Sequence, residues 1–348
     1  MKIQLIILEI AVLTATATLY ANEQPVSNLY VVTTLPDYSF FAEYIGGGRI
    51  SVKAIVRGDQ DAHFIRPKPS FARAMRNADV LVATGLDLEL WVQTVIDNSG
   101  NAKIRSGQSG YVSASMGMKL LEKPETMSRA EGGLHVYGNP HVTSSPIQMK
   151  VAARNIATGL IKNDPEGKEI YLRNLKKLNR EIDERLFGEK LVDMLGGETL
   201  CRLAEQDKLI PFLEEQKFKG KPLIQYLSGW MGKMLPLRGT PIVTYHKNWI
   251  YLLKLFGLEE AGTVEPKPGI PPSLKHVTEL VNMMRGIDIR IILAANYFDQ
   301  QKIRTIADRT GAKAVIVPLY VGGAPETDDY FKLVDYWTDR LIEAAEGS

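Results

Sequence analysis

Residues 29–56, LYVVTTLPDYSFFAEYIGGGRISVKAIV, decide the fold. Two runs rich in β-branched residues, 29–34 and 50–56, predict strands, and the segment 38–45 between them is compatible with a helix. The alternation continues with a helix-compatible segment and a third strand-like run, at 70–77 and 79–84. Strands that alternate with helices in this way predict a parallel sheet with helices on both of its faces.

The second half of the chain repeats this pattern. Strand-like runs recur at 241–245, 288–294 and 313–318, and helix-compatible segments at 248–256, 272–284 and 299–310. Once the N-terminal signal peptide that is described below is removed, roughly 325 residues remain. This is more than a domain with a single hydrophobic core usually contains. The predicted fold class is therefore α/β, with two similar lobes that each contain a mainly parallel sheet flanked by helices.

A long helix is predicted between the lobes. Asp164 can cap it with Pro165 in its first turn, and apolar residues then recur on one helical face, at Tyr171, Leu175, Leu178, Ile182 and Leu186. A helix over 165–187 would be about 34 Å long. We interpret it as the backbone that joins an N-terminal lobe, 22–164, to a C-terminal lobe, 188–348; the alternative is a surface helix within one lobe. Residues 188–235 predict short helices joined by Gly-rich turns, and their pattern indicates no function.

The first residues predict export. Lys2 is followed by an apolar run, 3–13, that is too short to span a membrane, and the Tyr20-Ala21 junction is typical of a signal peptide over residues 1–21. Cys201 is the only cysteine, so neither an internal disulfide nor a lipid anchor near the junction is expected. We expect a soluble periplasmic protein. The 42 basic and 40 acidic residues nearly balance, which does not favour nucleic acid as a partner.

Three of the five histidines lie in comparable loop contexts. His63 follows the strand 50–56, His246 follows the strand 241–245, and His141 precedes a helix that Ser145 can cap. Open α/β sheets bind ligands at the carboxyl ends of their strands, so two facing lobes would bring these histidines to one cleft. Three neutral imidazoles favour Zn²⁺ over Mn²⁺, because Mn²⁺ prefers oxygen ligands. The predicted metal ligands are therefore His63, His141 and His246.

The histidines belong to longer motifs. The segment Asp61-Ala62-His63-Phe64-Ile65-Arg66-Pro67-Lys68-Pro69-Ser70, the segment Gly85-Leu86-Asp87-Leu88-Glu89-Leu90-Trp91, the triplet Asn139-Pro140-His141 and the strand end Thr244-Tyr245-His246 follow one another in this order. In these motifs the chain resembles the zinc- and manganese-specific solute-binding proteins of bacterial ABC metal importers (cluster A-I type), over nearly the whole mature length. The resemblance implies two α/β lobes joined by a backbone helix, with a metal ion held between them.

The chain departs from that family in two places. After the second histidine, Thr143-Ser144-Ser145-Pro146 replaces the usual Trp-Leu-Asp-Pro. Many members also place a carboxylate ligand just after the strand matching 313–317, where this chain has Pro318-Leu319-Tyr320-Val321-Gly322-Gly323. The fourth ligand is therefore left open between water, His135 and Glu265. Asp61 and Glu89 are expected to orient imidazoles or to be structural, and His276 to be structural.

The predicted function is high-affinity periplasmic capture of a divalent transition metal, with Zn²⁺ as the transported ligand. A monomer would deliver the metal to the membrane permease of an ABC importer. The alternative is a zinc-dependent hydrolase, since three histidines and a water also describe a catalytic zinc site. The sequence contains no His-Glu-x-x-His pair and no Gly-x-Ser-x-Gly elbow, so we do not expect an enzyme. An adhesin built on the same scaffold is a third class that the sequence leaves open.

Overall fold

The computed structural model describes residues 28–123, 136–266 and 269–347. The predicted signal peptide, residues 1–21, and the candidate ligand His135 lie outside the described residues. Within them the chain forms two four-stranded sheets, both entirely parallel and both flanked by helices. The predicted fold class is therefore confirmed. None of the helices in these three ranges is long and apolar enough to cross a membrane.

The first half of the chain builds a sheet with its first strand at the centre. Its elements, in chain order, are β1 (Leu29–Thr33), α1 (Pro36–Gly46), β2 (Ile50–Ala54), α2 (Pro69–Arg76), β3 (Val80–Ala83), α3 (Val92–Ser99) and β4 (Tyr111–Ser113). The strand order is β2-β1-β3-β4. Strand β3 is buried along its whole length, as expected for a strand covered on both faces. Each predicted element of this half is present within two residues of its predicted bounds, whereas α3 and β4 have no counterpart in the prediction.

Two long helices follow, α4 (Pro146–Asn163) and α5 (Lys168–Phe187). Helix α5 ends at Phe187, as predicted, but it begins at Lys168, because Pro165–Gly167 forms a 3₁₀ turn. It packs against α1 and α4 on one side and against helices of the second half on the other. Its contacts are those expected of a joining helix, while the bounds of the lobes themselves remain a prediction.

The predicted cap of this helix is wrong. The Asp164 side chain makes no capping hydrogen bond. Its carboxylate instead accepts hydrogen bonds from Arg49 Nε and Nη2, at 2.7 and 2.8 Å, and from Tyr171 Oη at 2.5 Å. Bonds to a guanidinium are about twice as strong as those to a neutral amide, so the ion pair displaces the cap.

The region 188–235 is built as predicted from short helices. They are α6 (Glu189–Leu195), α7 (Gly197–Glu205), α8 (Leu209–Glu215) and α9 (Gly229–Met234), with a small hairpin of β5 (Lys217–Phe218) and β6 (Lys221–Pro222) between the last two. Gly188 and Gly196 form the turns on either side of α6, with φ of 85° and 78°, which other residues rarely adopt.

The second sheet repeats the plan of the first, with the order β10-β9-β7-β8. Its elements are β7 (Pro241–Thr244), α10 (Ile250–Phe256), β8 (Glu259–Thr263), α11 (Leu274–Gly286), β9 (Ile291–Ala295), α12 (Gln300–Thr310), β10 (Lys313–Val317) and α13 (Tyr330–Glu346). The predicted elements are present within three residues of their predicted bounds, and β8 and α13 have no predicted counterpart.

The two sheets share one buried core. A single apolar cluster runs from β1 through α5 to α13, and a smaller one lies under α11 and α12. Across the junction, the ring of Phe41 in α1 packs edge-on against Tyr330 in α13, with centroids 5.1 Å apart. Tyr330 Oη also donates a hydrogen bond to Thr143 O at 2.7 Å. The lobes are therefore in tight contact below the cleft.

Candidate metal site

The three predicted histidines meet in the cleft between the sheets. The ring centroids of His63 and His141 are 5.0 Å apart, those of His141 and His246 5.3 Å, and those of His63 and His246 5.9 Å. One ring nitrogen from each lies within 4.8 Å of the other two. His141 and His246 are buried and His63 is half-buried. Of all the histidine, cysteine and acidic residues in the described ranges, only these three form such a group.

His63 is placed by the loop that leaves β2. Its backbone N–H and its Nδ1 both lie against Asp61 Oδ1, at 2.9 and 2.8 Å. Trp91 Nε1 holds the loop by donating to Ala62 O at 2.8 Å. Burial alone would raise the pKa of Asp61, but its hydrogen bonds with His63 lower it overall. Because a carboxylate can only accept, the hydrogen lies on Nδ1, and Nε2 is the ring nitrogen that can act as a metal ligand.

His246 has the same arrangement with a different carboxylate. Its Nδ1 lies 2.7 Å from Glu265 Oε2, and Glu265 Oε1 accepts a hydrogen bond from Gly269 N at 2.9 Å. The two residues are neighbours because the β7–β8 ladder continues past the strands, with Glu265 N bonded to Tyr245 O at 2.8 Å. Glu265, a candidate fourth ligand, therefore uses both of its oxygens in positioning contacts.

The loop of His141 is fixed to the loop of His246 by Asn139. Asn139 Oδ1 accepts from His141 N at 3.0 Å, and its Nδ2 donates to Lys247 O at 2.7 Å. Tyr251 Oη holds the same segment by donating to Asn139 O at 2.6 Å. Sequence reasoning recognised Asn139 only as part of a motif. Its bridging role depends on a contact between residues more than one hundred positions apart.

The remaining candidates have structural roles. Glu89 is buried and accepts hydrogen bonds near the ends of β1 and β3, from Thr34, Thr84 and Gly85. Burial raises its pKa, and these donors counteract the rise. His276 Nε2 lies 2.9 Å from Thr263 O, which agrees with the structural role predicted for it.

An aromatic wall that the sequence did not reveal closes one side of the site. The ring of Phe298 stacks on Tyr245 with centroids 4.3 Å apart, and lies 6.1 Å from the ring of His246. Phe298, Phe64 and Gly269 line the opening together with the two carboxylates. No motif surrounds Phe298, because its position follows only from the pairing of β9 with β7.

This arrangement is suited to a divalent cation. Three imidazoles converge, and two carboxylates behind them supply two negative charges within hydrogen-bonding distance. Nitrogen ligands 2.0–2.1 Å from a tetrahedral Zn²⁺ would be about 3.4 Å from one another. Since the present separations are no more than 4.8 Å, the imidazoles would have to move together by at most roughly 1 Å.

Known proteins share both the fold and the site region. The family described as "Zinc-uptake complex component A periplasmic" matches residues 31–185 and 224–344. The high-affinity zinc uptake system protein ZnuA of Bacillus subtilis (strain 168) is 22% identical over 305 residues, which cover 86% of this chain and 81% of that protein. The manganese ABC transporter substrate-binding lipoprotein PsaA of Streptococcus anginosus is 22% identical over 330 residues, 90% of this chain and 88% of that protein.

Solved structures extend the similarity to the fold. The crystal structure of a ZnuA deletion mutant with zinc bound matches with a TM-score of 0.67 at 19% identity, covering 91% of this chain and 98% of that one. The family match omits residues 186–223, which contain α6 to α8 and the hairpin. It includes His63, His141 and His246 as well as strands of both sheets. The chain accordingly belongs to the zinc-uptake complex component A family, the metal-binding substrate-binding proteins of ABC importers.

Proposed function

We propose that this protein captures Zn²⁺ through His63, His141 and His246 in the periplasm and delivers it, as a monomer, to the permease of an ABC importer. The observation that carries the proposal is the convergence of three imidazole nitrogens within 4.8 Å in the cleft between two lobes. Imidazoles that converge from three separate loops form a set of nitrogen ligands of the kind that a divalent cation takes. A shared cation would account for their convergence.

The charge around the histidines supports a site without a carboxylate ligand. Asp61 and Glu265 each contact the Nδ1 of one ligand histidine. Together they offset the +2 charge of the metal from behind the imidazoles, and each carboxylate makes its imidazole a better donor. The fourth position would then be completed by water.

The choice of Zn²⁺ over Mn²⁺ rests on ligand chemistry. Similar proteins include one named for zinc and one named for manganese, so the family alone does not decide between the two metals. Three nitrogen ligands suit Zn²⁺, whereas Mn²⁺ prefers oxygen. We expect Zn²⁺ to outcompete both Mn²⁺ and Fe²⁺, and binding to weaken as the pH falls, because protons compete for the imidazoles.

The hydrolase alternative is less well supported. A catalytic zinc site needs a general base beside the bound water. The carboxylates that line the histidine cleft in the described ranges are Asp61 and Glu265, and both are bound to imidazoles. The two carboxylates that could act as a general base are thus already bound to the imidazoles that would bind the metal. This favours a transport protein over a hydrolase.

Single alanine substitutions of the three ligands test the proposal. We expect His63→Ala, His141→Ala and His246→Ala each to weaken Zn²⁺ binding well over tenfold, since removing a ligand should exceed the roughly 10–100-fold effect of removing a supporting group. Zn²⁺ affinity would be measured by competition with a chromogenic chelator. His276→Ala is the matched control, because His276 contacts Thr263 O and not the site, and it should bind as the unaltered protein does. Unchanged affinity in two of the three ligand variants would overturn the assignment.

A further inference from the structure

Two backbone segments from opposite lobes touch in the loop that leads to His63. Gly58 lies in the loop between β2 and His63, and Gly323 lies in the loop after β10. A Cβ on Gly58 would be 2.2 Å from Val321 O and 2.3 Å from Gly323 N, and a Cβ on Gly323 would be 2.4 Å from Gly58 O. These distances leave no room for any side chain. The two main chains are in direct contact only because both residues are glycine.

The loop after β10 provides a rigid surface for this contact. Asn296 Nδ2 donates to Gly323 O at 2.8 Å, and Trp337 Nε1 donates to Pro318 O at 2.6 Å. Within the loop, Gly322 N donates to Thr327 O at 2.6 Å. The loop is thus bonded to the end of β9, to α13 and to itself, so it cannot yield easily to a new side chain.

The opposite loop transmits its position to a ligand. Gly58 is buried between two exposed residues, Arg57 and Asp59, and Gln60 N closes the turn by bonding Arg57 O at 3.1 Å. The next residue is Asp61, which holds both the backbone and the imidazole of His63. A shift of Gly58 therefore moves the aspartate that orients the ligand.

We propose that Gly58 and Gly323 form a contact between the lobes that sets the position of His63 in the metal site. This inference rests on the proposed function, because it assigns a role in metal binding to residues that do not touch the metal. The loop after β10 contributes no ligand, but it supports the ligand loop from the other lobe. Both glycines are positioning residues.

Alanine at either glycine tests the contact. Moving a Cβ from 2.2 Å to an ordinary contact of 3.4 Å or more requires the backbones to separate by roughly 1 Å. We expect Gly58→Ala and Gly323→Ala each to weaken Zn²⁺ binding by roughly 10–100-fold, as loss of a supporting group does. Gly48→Ala and Gly286→Ala are matched controls in the two lobes, because a Cβ there would meet nothing within 4 Å, and both should bind normally.

Two further readouts separate positioning from general destabilisation. The visible spectrum of the Co²⁺-loaded protein reports the ligand set, and it should change in Gly58→Ala but not in Gly48→Ala. In the unaltered protein, Zn²⁺ should slow hydrogen exchange in residues 318–327, which contain no ligand, and leave helix α12 unchanged. This second measurement applies even if neither alanine variant folds.

The outcomes distinguish the two proposals. Failure of the unaltered protein to bind Zn²⁺ would overturn the proposed function. Normal binding by the unaltered protein together with unchanged affinity in both alanine variants would overturn only the glycine contact. Unchanged exchange in residues 318–327 on Zn²⁺ binding would overturn it as well.

Discussion

At the scale of single residues, the negative charge of the site lies behind the proposed ligands. Asp61 and Glu265 approach the Nδ1 atoms of His63 and His246 at 2.8 and 2.7 Å. Each carboxylate fixes the tautomer and the ring orientation of its histidine, so the imidazoles are oriented before a metal arrives. Less conformational freedom is then lost on binding, which favours high affinity.

Replacing Glu265 with glutamine tests this role of the carboxylates. Glu265→Gln keeps the shape and an acceptor oxygen for His246, but removes the charge, so Zn²⁺ affinity should fall by about 10–100-fold. Isothermal titration in the presence of a competing chelator would measure the change. Glu259→Gln, an exposed position on β8, is the control and should have no effect. Equal affinity of the Glu265→Gln and unaltered proteins would show that the charge is not required.

Residues in local motifs could be predicted from the sequence, and those defined by distant contacts could not. His63, His141 and His246 each follow a short motif, and Asp61 precedes His63 by two positions. The site prediction for these residues remains to be tested by metal binding. By contrast, Asn139 and Gly58 act through residues of the other lobe, and neither has a local signal for its partner.

At the scale of elements, the start of α5 depends on a buried ion pair. Arg49 and Asp164 form two hydrogen bonds, and their side chains are only 13% and 4% exposed. The pair joins the turn after α1 to the junction of α4 and α5. It therefore fixes the point at which the joining helix leaves the first lobe.

Asp164→Asn should destabilise the protein by about 3 kcal/mol, because it leaves the Arg49 charge largely buried without its partner. Hydrogen bonds from Arg49 lower the pKa of Asp164, so its contribution is complete above the ordinary carboxyl pKa of about 3.9 and is lost as the pH falls below it. Urea unfolding should show a larger difference between variant and unaltered protein at pH 7 than at pH 3. Asp193→Asn, at the exposed pair with Arg180, should change the stability little, because water and salt screen an exposed ion pair. A similar loss in both variants would contradict this account.

Two of the four elements that the sequence did not predict, β4 and β8, are edge strands. β4 has only three residues, and β8 contains two glutamates and a glycine in the sequence EEAGT. Neither has the apolar run of a central strand such as β3, and each forms because it completes the edge of an existing sheet. The prediction that Asp164 caps the joining helix was wrong for a related reason. A cap is a preference of the local sequence, whereas the ion pair with Arg49 depends on a residue 115 positions away.

At the scale of the whole molecule, a buried carboxyl lies where the lobes join. Asp37 in the first turn of α1 is fully buried, and its Oδ2 accepts from Val321 N of the other lobe at 3.4 Å. Burial raises its pKa to about 8, although the bond from Val321 opposes the shift. Tyr38, Tyr320 and Tyr330 face it, and burial raises the pKa of each of them as well.

The stability of the protein should therefore fall with rising pH through this group. A carboxyl with a raised pKa in the folded state contributes most below its unfolded value of about 3.9, and that contribution is lost as the pH rises towards about 8. Asp37→Asn removes the ionisation, so its melting temperature relative to the unaltered protein should be higher at pH 9 than at pH 5. An identical difference at both values would rule out ionisation of Asp37 as the cause.

The two-lobe arrangement could be predicted because each lobe repeats one alternating pattern. The joining helix could be predicted from the apolar stripe along one of its faces. Its contacts with both halves of the chain agree with its interpretation as the helix that joins the lobes. No pattern in the sequence predicted that the two lobes share one hydrophobic core. Periodicity shows that Phe41 is buried, but it does not show that Tyr330 is the residue that covers it.

The packing of α13 on α1 has a consequence for the order in which the protein folds. Phe40 and Phe41 belong to the first lobe, yet Phe331 and Tyr330, which cover them, come about 290 residues later in the chain. At 5–20 residues per second, roughly 15 to 60 s of synthesis separates the two ends of this contact. During that time the first lobe lacks the rings that cover Phe40 and Phe41, so its core stays incomplete. A chain with an incomplete core is easier to keep unfolded, and an unfolded chain is the form that can be threaded through a membrane pore, which fits the export that its N-terminal residues predict.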